Sequence, residues 1–215
     1  MKIKPSILLM IIICFICIKS KAQLTFTSTQ AKEDLLCLKK ALEYVHPRLY
    51  KYTTADSFNK HFELVVSDLG KSISGLDLLS KVSQVNAQVN CGHLYTIPQF
   101  ELKEEVLNKK VMPFYVKLIK SELYIINDCS QNEFIANGAK IVSINEKASE
   151  QIIEVIKKGI ATDGFIETRK NRLIERYFST SVYGFDLYYH LHVDRNSTFS
   201  IEIEAYGNNQ NHKLK

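Results

Sequence analysis

The stretch Asn137-Gly138-Ala139-Lys140-Ile141-Val142-Ser143-Ile144-Asn145 limits the folds open to this 215-residue chain more than any other. Glycine has no Cβ and takes positive φ without a clash, so Gly138 is suited to pivot a turn. The β-branched Ile141, Val142 and Ile144 favour extended backbone, and Asn145-Glu146-Lys147 closes the run with turn chemistry. A helical pattern follows from Ser149 to about Ile160, with Ile152, Ile153, Val155, Ile156 and Ile160 apolar. Its Lys157-Lys158-Gly159 end suits the negative pole of a helix dipole. Turn, strand, turn and helix in close succession demand a sheet with a helix packed on it.

The flanking segments extend that sheet. From Val111 to Ile119, Met112, Phe114, Val116 and Leu118 alternate with Pro113, Tyr115 and Lys117, and from Glu122 to Ile126, Leu123 and Ile125 continue the alternation. Lys120-Ser121 between them predicts a hairpin, and Pro113, which cannot donate to a ladder, predicts an edge position. Asp163-Gly164 predicts a turn, Glu167 to Phe178 a helix, Phe185 to Val193 a strand, and Phe199 to Tyr206 the last strand. The polar residues 207–215 read as a disordered tail.

Ahead of the sheet, residues 29–92 read as three helices. Leu35, Leu38, Leu42 and Val45 recur at helical spacing, and Pro47 predicts an end near His46 because the residue before proline avoids α geometry. A second helix starts at Thr53 or Thr54, buries Phe58, Phe62, Val65, Val66 and Leu69, and stops at Gly70. Ser74-x-x-Asp77 is a variant capping box for the third, with Leu76, Leu79 and Val82 inward and Val89 near its end. Cys91-Gly92-His93 then reads as a glycine C-cap beside a structural histidine.

The amino-terminal segment 1–22 has the layout of an export signal. Lys2 and Lys4 precede an unbroken apolar run from Ile7 to Ile18, and Ser20-Lys21-Ala22 offers a cleavage site. The run is too short to span a hydrocarbon core of about 30 Å, so the mature chain is expected to be exported, periplasmic or extracellular, and free of the membrane. Removing Lys2, Lys4, Lys19 and Lys21 from the formal charge of +5 leaves +1, so the basic balance implies no partner. Arg169, Lys170, Arg172 and Arg176 are interleaved with Glu167 and Glu175 and read as a solvated helix face; no nucleic-acid partner is expected. The mature chain keeps Cys37, Cys91 and Cys129, an odd number without C-x-x-C spacing, which removes the redox motif and the usual structural zinc motif. All three read as buried small apolar side chains.

The order of short motifs carries a resemblance. Gly138-x-Lys140-Ile141-Val142-Ser143-Ile144-Asn145 resembles the core strand of a PDZ domain, with Glu146 where glycine is usual. Upstream stand His46-Pro47-x-Leu49-Tyr50 and Cys91-Gly92-His93. The series is similar to the amino-terminal half of the exported C-terminal-processing, or tail-specific, serine peptidase family, in which a helical domain carries H-P-x-L-Y, ends in D-G-H-T or C-G-H-T, and is followed by a PDZ-like domain. Leu94 stands where that family has threonine. The resemblance implies an α+β protein: a signal at 1–22, a three-helix bundle at 23–98, a PDZ-like antiparallel β domain with flanking helices at 99–206, and the tail. It further implies that His46, Pro47, Cys91, Gly92 and His93 are family-motif residues, with His93 structural or at an interface, and that Gly138, Ile141, Ile144 and Asn145 lie near a peptide-binding turn.

The catalytic apparatus the family requires, a serine with a lysine about one helical turn further on, has no match; neither does a G-x-S-x-G elbow. The expectation is therefore the non-catalytic portion of such a peptidase homologue, with no cofactor. Its partners would be an extended peptide or unfolded segment, bound by strand addition, and a peptidase catalytic domain. A stand-alone secreted peptide-binding module is the alternative. A third reading rests on His190-x-His192-x-Asp194: on a strand, residues two apart share a face, so these side chains could converge on a metal. Against it, the same three are simply the wet positions of a half-buried strand.

Overall fold

The computed structural model describes residues 24–98, 102, 112–130, 135–175 and 184–214. The expected export signal lies outside them. Among the described residues no helix is long and apolar enough to cross a membrane. The architecture is mixed α/β with antiparallel sheets.

The helical part opens with a short strand, β1 (Thr25–Thr27), that runs into α1 (Ser28–Val45). Thr27 caps the helix reciprocally. Its hydroxyl accepts the Gln30 N–H at 3.2 Å while Gln30 Oε1 accepts the Thr27 N–H at 2.9 Å. The helix ends at His46, whose backbone is extended in front of Pro47. Thr54 caps α2 (Ala55–Ser67) by accepting the Ser57 N–H at 3.1 Å. The chain then returns through β2 (Ser72–Ser74), antiparallel to β1, into α3 (Gly75–Gln88), capped by Ser74. Leu35, Leu42, Phe58, Phe62, Val65 and Val85 meet in one core. Val45, expected inward, is 72% exposed.

The second part is a sheet in the order β3-β4-β5-β7-β8. It comprises β3 (Phe114–Ile119), β4 (Glu122–Asp128), β5 (Lys140–Ile144), β6 (Lys147–Ala148) paired to β5, β7 (Phe199–Ala205) and β8 (Asn208–Leu214). β3 forms one edge, as Pro113 implies. Three hairpins close through Lys120-Ser121, Asn145-Glu146 and Tyr206-Gly207, each with positive φ at both positions, the requirement of a type I′ turn. Glu146 thus takes the left-handed place that glycine fills more easily. On the sheet packs α4 (Ser149–Lys157), through Ile152, Ile153 and Ile156, and α5 (Glu167–Ile174) follows. Phe178, where that helix was expected to end, lies outside the described residues.

Two expectations are corrected. Residues 208–214, read as a disordered tail, form β8 on the edge of the sheet; their polar side chains face solvent, and Leu214 anchors the end in the core. The segment read as a strand from Phe185 is α6 (Phe185–His192). Its alternation was misleading because the helix is buried on two sides. Leu187 and Leu191 pack with Leu76 of α3, while Phe185, Tyr188 and Tyr189 enter the sheet core. A helix covered on both sides needs no polar face and shows no 3.6-residue stripe.

The end of α6 joins the two parts. His192 Nδ1 lies 2.8 Å from Ser80 Oγ on α3, Tyr188 stacks on its ring, and Arg195 pairs with Asp77 at 2.6 Å. Gly159, beyond α4, faces the same ring so closely that a Cβ there would lie 2.4 Å from His192 Cε1. Gly159→Ala is therefore expected to cost about 1–3 kcal/mol in denaturant unfolding. In a His192→Ala background most of that cost should vanish; an undiminished cost would mean the ring is not the obstacle. Burial, then the nearby Arg195 charge, lowers the His192 pKa to about 4 from 6.5. The unfolded chain thus binds the proton first on acidification. Stability should fall between about pH 6.5 and pH 4 by up to about 1.4 kcal/mol per unit, relative to a His192→Gln variant measured in parallel.

Candidate functional site

Two turns of the helical part and one of the sheet part enclose a cleft of about 470 Å³. One wall is the connector after α1, with His46, Pro47, Arg48, Lys51 and Tyr52; another is the segment after α3, with Val89, Cys91, His93 and Leu94; Asp163 enters from beyond α4. Asn90 ends α3 with φ 54°, and its carbonyl accepts the Gly164 N–H at 2.9 Å. Gly164, at φ 64°, packs against the Tyr52 ring. Asp163 is held by the neighbouring turn: its Oδ1 accepts the Gly92 N–H at 2.9 Å. A side chain at position 92 would crowd this contact, since a Cβ would lie 3.0 Å from Asp163 Oδ2 and 3.2 Å from its backbone N.

The result is a thiol, an imidazole and a carboxylate in one place. The ligand atoms of Cys91, His93 and Asp163 lie within 4.8 Å of one another, and no other such group occurs among the described residues. His93 Nδ1 is 3.9 Å from Asp163 Oδ1, and their side chains are 85% and 57% exposed. That separation is an ion pair when the imidazole is protonated and too long for a hydrogen bond. On the opposite wall His46 Nδ1 accepts the Arg48 N–H at 3.3 Å.

The structure therefore gathers His46, Pro47, Cys91 and His93 on one cleft, with Gly92 supplying the close approach. Asp163 was read only as a turn residue, and no local pattern ties it to a cysteine some seventy positions away. Cys91 is half-buried, but Cys37 and Cys129 are exposed, which corrects the reading of all three as buried; all are free. Gly138 turns the chain at φ 86° beside open space and gives its N–H to Ile125 O at 2.7 Å. Ile141 and Ile144 are fully buried in the sheet core. The Asn145 amide binds Asp194 Oδ2 and the Ser200 N–H, bracing the hairpin.

The set His190, His192 and Asp194 does not converge, a second consequence of α6 being a helix. Residues two apart on a helix point about 200° from one another. His190 is buried, His192 meets Ser80, and Asp194 lies beyond the helix, bound to Asn145 and Asn196. The Ser80–His192 pair does join a hydroxyl to an imidazole. Ser80 is buried, neither residue reaches the cleft, and the ring is sandwiched between Tyr188 and Gly159, so the pair ties α3 to α6 and presents no nucleophile.

Against solved structures the chain matches mature CPAF, with TM-score 0.52 and 9% identity, and a serine-to-alanine mutant of CPAF, with TM-score 0.54 and 12% identity. A third match is mature CPAF complexed with lactacystin, at TM-score 0.53 and 10% identity. The chain shares the fold of one part of CPAF. Each match covers 87% of this chain and 34% of the other, so the chain spans about a third of the CPAF chains. No family model and no curated protein matches the sequence.

Gly92→Ala should unseat Asp163 from the 90–93 turn and cost roughly 1–2 kcal/mol in denaturant unfolding. The same change in an Asp163→Ala background should cost clearly less, because the crowded carboxylate is gone. Equal costs in both backgrounds would place the strain elsewhere.

Proposed function

We propose that this chain is the recognition portion of an exported tail-specific serine peptidase homologue. In this reading a three-helix bundle precedes a PDZ-like domain that binds an extended peptide and does not cleave it alone. The observation that carries the proposal is the superposition of most of the chain on one part of CPAF, a serine protease. The motif order His46-Pro47, Cys91-Gly92-His93 and Gly138 to Asn145 agrees with it, and both upstream motifs contribute to one cleft. Export rests on the character of residues 1–22.

The edge strand β3 is the suited docking edge. It pairs with β4 on one side only, is apolar on its inner face, and begins after Pro113. One outward donor is already occupied: the Leu118 N–H donates to Glu175 Oε1 at 2.9 Å, and Lys117 Nζ reaches Oε2 at 2.7 Å. A peptide added along β3 would supply its own carbonyl there and displace the carboxylate.

Fluorescence anisotropy with a labelled unfolded peptide tests this. Saturable micromolar binding without cleavage products is expected, and N-methylation at alternate peptide positions should abolish it, since strand addition uses main-chain N–H groups. Glu175→Ala, by removing a competing acceptor, should tighten binding severalfold, the worth of about one hydrogen bond. Binding indifferent to N-methylation, or peptide hydrolysis that co-purifies with the chain, would overturn the reading.

A further inference from the structure

We propose that Cys91, His93 and Asp163 form a binding site for a divalent cation of the zinc class, with one coordination position left open to the cleft. The proposal is independent of peptide binding at β3. It starts from the donor set: one sulfur, one imidazole nitrogen and one carboxylate oxygen, all within 4.8 Å of one another. Bond lengths near 2.0–2.3 Å in a tetrahedron put ligand atoms about 3.3–3.8 Å apart. The observed 3.9 Å between His93 Nδ1 and Asp163 Oδ1 already approaches that spacing. His93 is mostly exposed and can turn inward without disturbing the core. A thiolate with an imidazole selects zinc-like cations over magnesium or calcium, which prefer all-oxygen shells. Thiolate and carboxylate together would balance a double positive charge.

The surroundings support the ligands. The Gly92 N–H fixes Asp163 through Oδ1, the kind of outer hydrogen bond that orients a metal-binding carboxylate. The Cys91-Gly92-His93 turn places two ligands on either side of that bond. A Cβ on the residue between them would crowd the carboxylate, at 3.0 Å from Oδ2. His46 lines the same cleft but is disposed differently. With Nδ1 accepting the Arg48 N–H, its ring proton sits on Nε2, making it a hydrogen-bond donor and no ligand. Three protein ligands and an open position is the arrangement of zinc sites that bind a water or a small ligand. Arg48 and Lys51 on the cleft wall favour an anionic group at that position.

The test uses the reduced, chelator-treated mature chain, titrated with zinc against a chromophoric competitor and, separately, with cobalt as a spectroscopic probe. One equivalent of zinc per chain and a thiolate-to-cobalt charge-transfer band are expected. Cys91→Ser should abolish the band, and Cys91→Ser, His93→Gln and Asp163→Asn should each weaken zinc binding at least about tenfold. Asp163→Asn keeps an oxygen acceptor for Gly92, so its loss of affinity would not reflect a collapsed turn; far-UV circular dichroism checks each fold. Cys37→Ser and Cys129→Ser should leave zinc affinity unchanged. The proposal is overturned by the absence of stoichiometric zinc, by affinity that survives all three site substitutions, or by affinity that follows Cys37, Cys129 or His190 instead.

Discussion

Burial of α6 on two opposite sides is the constraint on which the arrangement of this chain depends. Leu187 and Leu191 belong to the packing with α3, and Phe185 and Tyr189 to the sheet core. One eight-residue helix thus shares apolar surface with both parts of the molecule. Its carboxyl end is fastened by polar contacts that leave little slack: Ser80 on the His192 ring, Asp77 on Arg195, and the bare backbone of Gly159 against the same ring. Core packing dense enough to forbid a methyl group transmits displacement instead of absorbing it. The cleft lies at the other contact between the parts, with Asp163 only a few residues beyond Gly159.

The cleft illustrates how short-range signals build a long-range site. Pro47 ends α1 and so sets where His46 points; Asn90 turns left-handed to end α3 and offers its carbonyl to Gly164. Neither contact involves a group that reacts or binds. Together they bring a carboxylate to a thiol and an imidazole, with Gly92 admitting it at the one spot where a side chain would intrude.

What the sequence made legible follows from how each element meets water. α2 was readable because one side of it is wet, and Thr54 and Ser74 announce the starts of α2 and α3. β3 and β4 alternate cleanly for the same reason, and Gly138 marks the entry to β5. α6 was misread because water touches neither flank and the pattern that would reveal a helix is erased. β8 was misread for the opposite reason: an edge strand whose side chains are almost all exposed has the composition of a tail, and only Leu214 hints otherwise. Of the cleft, the two local motifs were visible and the carboxylate was not, because tertiary proximity across separate turns leaves no trace in spacing.

The three hairpin turns place Lys120, Ser121, Glu146 and Tyr206 in left-handed backbone, a region that costs most residues with a Cβ about 1–2 kcal/mol. A loop that dislikes its own shape does not initiate a hairpin; it is held shut by the strands it connects. Register in this sheet is accordingly dictated from the buried isoleucines outward.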